Sequence, residues 1–396
     1  MSEKIVCSMV NHGLGITWQG VLTPCCQWYP DHGLEHLSYK WTDYQGYNDV
    51  VRRTILSEFE QGIEHTGCRK CFQEEKHGYF SLRQRANRMH PQTHEEPSVD
   101  NPIYNFELRL SNHCNLKCVM CGPYASTSWY QEMTKHADKF NNLIDRNGKP
   151  IIHLIPQPDD WSETEEFRSW LTKLLTQGQV KVLDFSGGEP FSLPSTQWIL
   201  QTLLDNGVTD VHIQANSNYT RIPPRLVSLL KNFKNLFLSI SLEGIGAHND
   251  WLRYPSDWSE IEANITMMTR EVPARYNVNH TFQHASAYSL PTLVDWCLER
   301  KLDLRLTMAT GRPCLTMESC PPADLARLTE LINANGRLRE EPVYGIWGKH
   351  LLDFVNSVSS STMFDRTLYE EYRKFIDTLD NIRGTNYNSV FQPSAV

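Results

Sequence analysis

Beyond residue 103, short β-rich runs alternate with stretches of helical spacing. The runs are Tyr104–Leu110, Val180–Phe185, Val211–Gln214, Leu236–Ser241, Val278–Gln283 and Leu302–Thr307. Between most of them apolar residues recur every three or four positions, at Glu166–Leu175, Thr196–Asn206, Arg225–Asn232, Trp258–Glu271 and Leu290–Lys301. Alternating strands and helices predict an α/β fold with a parallel sheet covered by helices. Six such units suggest a partial (β/α)6 TIM-like barrel rather than a closed ring of eight. In folds of this kind the chemistry gathers at the carboxyl ends of the strands.

The pattern before residue 103 differs. Ile16–Trp18 and Val21–Thr23 flank Gln19-Gly20, a hairpin signal. Asp49–Gln61 reads as a helix. Ala86–Pro102 is polar, contains three prolines and reads as a linker. The sequence thus divides into a small cysteine-rich α+β domain at 1–88, a linker at 89–103, a barrel at 104–320 and a helical C-terminal region at 321–396. Leu351–Val355 and Leu368–Leu379 supply the helical spacing in the last part.

Bulk composition narrows the function. A net charge of -8 over 396 residues does not suit a general nucleic-acid binder, which needs a basic surface. No stretch nears the roughly 20 apolar residues of a membrane span. The opening MSEKIVCSMVNHG has Glu3 and no apolar core, so no signal peptide is expected. These features predict a cytoplasmic protein with no membrane partner. In that compartment its eleven cysteines point to metal binding or catalysis rather than disulfides. Eight fall in two groups before residue 122, while Cys297, Cys314 and Cys320 stand apart as buried or incidental thiols.

The first β run leads into Ser111-Asn-His-Cys114-Asn-Leu-Lys-Cys118-Val-Met-Cys121-Gly122. Three thiolates on one loop can converge on a soft metal centre. Three rather than four leave a coordination position open, as a catalytic site requires. A zinc site completed by His113 or three unrelated thiols are the plainer readings. The second run ends in Gly187-Gly188-Glu189-Pro190, where two glycines allow a ligand to approach the backbone; by itself this reads equally as a turn. The third run leads to Asn216-Ser-Asn218. The fourth gives Ser241-Leu-Glu243-Gly244, followed by His248-Asn-Asp250-Trp-Leu-Arg253.

In this order, the motifs resemble those of the radical S-adenosylmethionine (SAM) superfamily. CNLKCVMC is similar to its CxxxCxxC loop, with Met120 where the family often has an aromatic residue. The resemblance implies that Cys114, Cys118 and Cys121 hold a catalytic [4Fe–4S] cluster whose open iron binds SAM. Reductive cleavage then yields a 5′-deoxyadenosyl radical that abstracts hydrogen from a substrate. It also implies that Gly187, Gly188 and Glu189 hold the methionyl amino group and that Asn216 faces SAM. Ser241 or Glu243 would contact its ribose or methionyl part, and Arg253 would pair with its carboxylate. Barrel-lining hydroxyls and ordinary ion pairs are the plainer readings of those last positions.

A second set comprises Cys7, Gly20, Cys25, Cys26 and the Cys68-Arg-Lys-Cys71 pair. Composition alone favours a four-cysteine zinc site. The spacing resembles the twitch module, a short form of the SPASM domain, which implies an auxiliary [4Fe–4S] cluster on Cys7, Cys25, Cys68 and Cys71. The module usually follows the barrel and here precedes it. Its glycine spacing selects Cys25 over Cys26. Arg69–Arg88 is basic with interspersed aromatics and reads as a solvated helix face. The resemblance as a whole implies an oxidoreductase or maturase. Its substrate would be a peptide or protein side chain, or alternatively a small molecule such as a sugar alcohol, with flavodoxin or ferredoxin as reductant. A non-catalytic iron–sulfur or zinc protein is the reading from another class.

Overall fold

The structure, a computed structural model, describes residues 4–28, 37–76, 81–89, 98–145, 147–155, 160–176, 180–309, 312–340 and 351–392. The chain forms two compact units. The first gathers residues 1–111, 158–215 and 223–237; the second gathers 112–157, 216–222 and 238–396.

In the first unit, strands β1 (Gly13–Ile16), β2 (Leu22–Thr23), β3 (Asn105–Leu108), β4 (Val182–Phe185) and β5 (His212–Ser217) lie in the order β2-β1-β3-β4-β5. β1 and β2 are the antiparallel hairpin that Gln19-Gly20 predicts, and Gly20 takes a φ of 75° that favours glycine. The other pairs are parallel. β1 also joins β3 in parallel, a pairing the sequence pattern does not announce. The shared register puts Gly15, Glu107, Asp184 and Gln214 in one row. The covering helices form where expected. Glu165–Thr176 buries Phe167, Leu171 and Leu175 at four-residue spacing, one face of a helix. Pro194–Asp205 begins with proline at its first turn, where the missing N–H costs nothing. The predicted linker begins later than its composition suggests, because Leu82–Met89 is helical; residues 90–97 of it, and Tyr79 and Phe80 of the basic stretch, lie outside the described residues.

In the second unit, the end of β6 (Asn235–Ser241) lies beside β7 (Arg275–Phe282), which pairs in parallel with β8 (Asp303–Met308) from Asn277↔Asp303 to Phe282↔Met308. The helix Trp258–Glu271 spans the segment its spacing predicts. The helix Arg366–Arg383 is longer than the apolar pattern at 368–379 because its caps set its ends. Asp365 accepts from the N–H groups of Thr367 and Leu368, and Gly384 closes it in the left-handed region. Its buried Leu368, Tyr372, Phe375, Ile376 and Leu379 form one stripe. All of these but Leu368 pack in a core with Val119, Trp129, Trp251 and Leu315. Burying each such side chain contributes roughly 1.5–3 kcal/mol. Val119 lies inside the three-cysteine loop, so the C-terminal helix and that loop share a core. No described helix is long and apolar enough to cross a membrane.

Candidate functional site

In the second unit, the Cys114–Cys121 loop is held from several sides. The indole N–H of Trp129 donates to the Cys118 carbonyl at 2.8 Å. Arg312, itself buried, donates to the carbonyls of Val119, at 2.5 Å, and Cys121. Arg383, in the last turn of the C-terminal helix, donates to the Lys117 carbonyl at 2.9 Å and to Glu132 at 2.8 Å. Glu132 also accepts from Lys117 Nζ at 2.6 Å. These cations hold the Glu132 carboxyl below its ordinary range despite its burial.

The three cysteines form no disulfide among the described residues. Cys118 is buried, and Cys114 and Cys121 are half-buried. A hydrogen bond between Cys118 and Cys121 lowers the Cys121 thiol and raises that of Cys118. Two nitrogens face the sulfurs. Asn218 Nδ2 lies 3.9 Å from Cys114 Sγ, and Arg253 Nη1 lies 3.9 Å from Cys118 Sγ. Asn218 also donates to Asn115 at 3.1 Å. Of the other predicted residues in this unit, Asn216 accepts from Asn279 rather than reaching the loop. Ser241 is half-buried at the end of β6. Glu243 is fully buried, and its Oε1 lies 2.7 Å from Arg253 Nη2. Arg312 and Arg383 are the partners of the loop that sequence reasoning missed, whereas Asn218 belongs to the polar strand end Asn216-Ser-Asn218. The two arginines, far along the chain, gave no signal.

In the first unit, Cys7, Cys25, Cys68 and Cys71 line one small cavity with Met9, Trp28 and Arg83. Cys26 does not line it. It faces a second cavity with Glu107 and Arg109, and Glu107 accepts from its backbone N–H. Burial raises all four clustered thiols, Cys7 to about 11. Four thiolates in such a place are costly unless a metal neutralises them. The indole of Trp28 is nearly fully buried in the cavity wall, with its Nε1 against Gly67. Gly187 and Gly188 have φ of 77° and 56°. A Cβ added at Gly187 would stand 3.0 Å from Arg109 Cβ. Arg109 in turn donates to Ser186 at 3.3 Å. Glu189 is buried, and its carboxylate accepts from the Phe191 N–H at 3.1 Å.

Residues 108–282 match the family model described as the Radical SAM superfamily. They form a radical SAM domain. The match runs from the last residue of β3 to the last residue of β7 and marks the chain as an enzyme. The family implies a [4Fe–4S] cluster and SAM. No curated protein matches the chain. Among solved structures, similarity extends to Streptococcus suis SuiB bound to its precursor peptide SuiA, with 18% identity, 75% of this chain and 62% of that one covered, and a TM-score of 0.37. For anSMEcpe with bound AdoMet the values are 14%, 57%, 58% and 0.39. For the methyltransferase TsrM from Kitasatospora setae they are 10%, 60%, 57% and 0.32. The chain thus spans less than two thirds of the length of each.

The residues of the radical SAM domain suit the cluster that the family implies. The donor set is three soft thiols on one loop, two of them facing N–H donors that can meet sulfur charge. A buried Arg253 Nε without a partner lies in the same surroundings. Among the described residues, no three His, Cys, Asp or Glu side chains already stand at the spacing of a bound metal ion. The fit therefore rests on donor chemistry and on the anchoring of the loop.

Proposed function

We propose that the chain cleaves SAM reductively and abstracts hydrogen from a peptide or protein side chain, leading to its oxidation or cross-linking. The observation that carries this reading is the three-thiol loop of the radical SAM domain, with Asn218 and Arg253 directed at two of its sulfurs. Cys114, Cys118 and Cys121 would hold the cluster. When bound, that cluster supplies the one electron that breaks the SAM sulfonium. Gly187 and Gly188 would leave room for SAM to lie against the backbone, and Glu189 would take its methionyl ammonium. Asn216 and Ser241 complete the proposed SAM-side set, with Arg253 offering SAM the Nε that has no partner in the protein and Glu243 holding Arg253 in place. The protein's part is to bind, orient and exclude water, while the cofactor carries the hard chemistry.

Cys7, Cys25, Cys68 and Cys71 are proposed to hold an auxiliary [4Fe–4S] cluster, with residues 1–88 as its module, 89–103 as linker, 104–320 as the catalytic barrel and 321–396 as a helical support. The cavity shared with Cys7, Cys68 and Cys71 supports Cys25 over Cys26. An auxiliary cluster fits an oxidation, since it can take the electron left when a substrate radical becomes product. The resemblance of this module to the twitch domain supports a peptide substrate; a flavodoxin or ferredoxin is proposed as reductant of the SAM-binding cluster.

The test is anaerobic. The protein is reconstituted with iron and sulfide, reduced, given SAM and assayed for 5′-deoxyadenosine beside Cys118→Ala. Formation by the native protein and not by the variant is expected. Failure of the reconstituted protein to bind SAM overturns the reading.

A further inference from the structure

Arg253 is 9% exposed, so its charge must be met within the protein. Glu243 meets it. Nη2 donates to Glu243 Oε1 at 2.7 Å, and Glu243 is wholly buried. The second carboxylate oxygen is occupied too. Glu243 Oε2 accepts from the Thr281 N–H at 2.7 Å and stands 3.4 Å from His280 Nδ1, which also lies 3.2 Å from the Leu242 carbonyl. His280 is buried, and burial lowers its proton affinity to about 3, so it is neutral here. The carboxylate is therefore held at both oxygens, and it fixes the rotation of the guanidinium it binds.

With that rotation fixed, Nη1 points at Cys118 Sγ from 3.9 Å. An isolated buried ion pair needs no thiol beside it. Here one arm of the fork neutralises the arginine and the other addresses a sulfur of the three-cysteine loop. Lysine, a single point charge, cannot serve both partners at once.

We propose that Arg253, held by Glu243, is a positioning residue that donates to the Cys118 sulfur of the bound cluster and sets its reduction potential. This rests on the reading that Cys114, Cys118 and Cys121 hold the SAM-binding cluster. Reduction adds an electron and so puts more negative charge on the cluster sulfurs. A cationic donor at one of them stabilises the reduced form more than the oxidised form, and hydrogen bonds to sulfur and net charge are what tune such potentials. The potential with Arg253 in place is thus less negative than without it.

The experiment is an EPR-monitored redox titration of the full-length reconstituted protein, following the signal that changes on adding SAM. In Arg253→Gln the midpoint is expected to fall by about 59 mV, so that about tenfold less cluster is reduced at the same poise. Arg253→Lys keeps the charge but loses one arm, and it is expected to fall between the two. Unchanged midpoints in both variants overturn the proposal. A second measurement needs no variant: in native protein labelled with 15N-arginine, pulsed EPR of the reduced cluster is expected to show coupling to an arginine nitrogen. Its absence overturns the proposal even if the variants fail to load a cluster. A native protein with no SAM-responsive signal overturns the underlying cluster assignment, an outcome distinct from an intact signal with an unmoved midpoint.

Discussion

The indole Nε1 of Trp129 donates to the carbonyl oxygen of Cys118 at 2.8 Å. Trp129 is fully buried, and the guanidinium carbons of Arg383 and Arg312 lie 4.8 Å and 5.6 Å from its ring centre. Those same arginines bind the carbonyls of Lys117, Val119 and Cys121. The loop is thereby anchored at four backbone oxygens by groups from outside it. Such anchoring limits how far the thiols can wander before a metal arrives, which is the purpose of a supporting shell around ligands.

Trp129→Phe keeps an aromatic ring in the core and removes that one bond, leaving the Cys118 carbonyl without its donor. A loss of about 1–3 kcal/mol is expected from an orphaned buried acceptor. Trp129→Ala, which also empties the core position, should cost about 3–5 kcal/mol. Denaturant unfolding gives the stability, and iron content after reconstitution shows whether the loop still loads. A Phe variant as stable and as iron-rich as the native protein would remove the bond from the account of the site.

Cys25 and Cys26 both line the cavity that holds Glu107 and Arg109, but only Cys25 also lines the one shared with Cys7, Cys68 and Cys71. Replacing Cys25, Cys68 or Cys71 by Ala is expected to remove the auxiliary cluster and roughly halve the iron bound per chain. Cys26→Ala is expected to leave the iron unchanged, because the backbone N–H that Glu107 accepts is retained. Iron and acid-labile sulfide assays decide. Equal loss from Cys25→Ala and Cys26→Ala would overturn the choice between them.

The strands and helices of the alternating region were legible because burial imposes periods that survive in sequence: Phe167, Leu171 and Leu175 announce their helix without reference to anything else. The cysteine motifs were legible because their ligands lie close together in the chain. Arg312 and Arg383 were not, since a cation 191 residues from Cys121 carries no local mark of its partner. Nor does the hairpin sequence at Gly13–Thr23 reveal that its first strand pairs in parallel with β3. Strand pairing between distant segments is set by the whole sheet, not by either strand alone.

The acid side of the stability curve has a specific contributor in His284. Its Nδ1 lies 2.9 Å from Ser319 Oγ, its Nε2 lies 3.1 Å from the Tyr288 hydroxyl, and its ring stacks on Tyr372 at 3.9 Å. Burial, aided by Arg373, lowers its proton affinity from 6.5 to about 3. The folded chain therefore keeps His284 neutral where the unfolded chain protonates it. Its stabilisation is fully present above pH 6.5 and is lost as pH falls from there towards 3, at up to about 1.4 kcal/mol per unit. His284→Gln should flatten the curve between pH 6.5 and 4.5. An unaltered slope in denaturant titrations across that range would exclude this histidine as its source.

Gly187 allows a separation of SAM binding from cluster loading. At φ 77° an alanine is strained by roughly 1–2 kcal/mol, and its Cβ would stand 3.0 Å from Arg109 Cβ and 3.2 Å from Arg109 Cγ. Gly148 makes a matched control, since its φ is 72° but an added Cβ meets nothing within 4 Å. Both substitutions carry the backbone strain, and only Gly187→Ala presses on the side chain that donates to Ser186 beside the proposed SAM turn. Gly187→Ala should therefore lower SAM affinity about tenfold or more while iron content stays at the native level, and Gly148→Ala should change neither. Equilibrium dialysis with labelled SAM gives the first quantity and an iron assay the second. If Gly187→Ala lowers only the melting temperature and binds SAM as the native protein does, the turn serves the fold and SAM is held elsewhere.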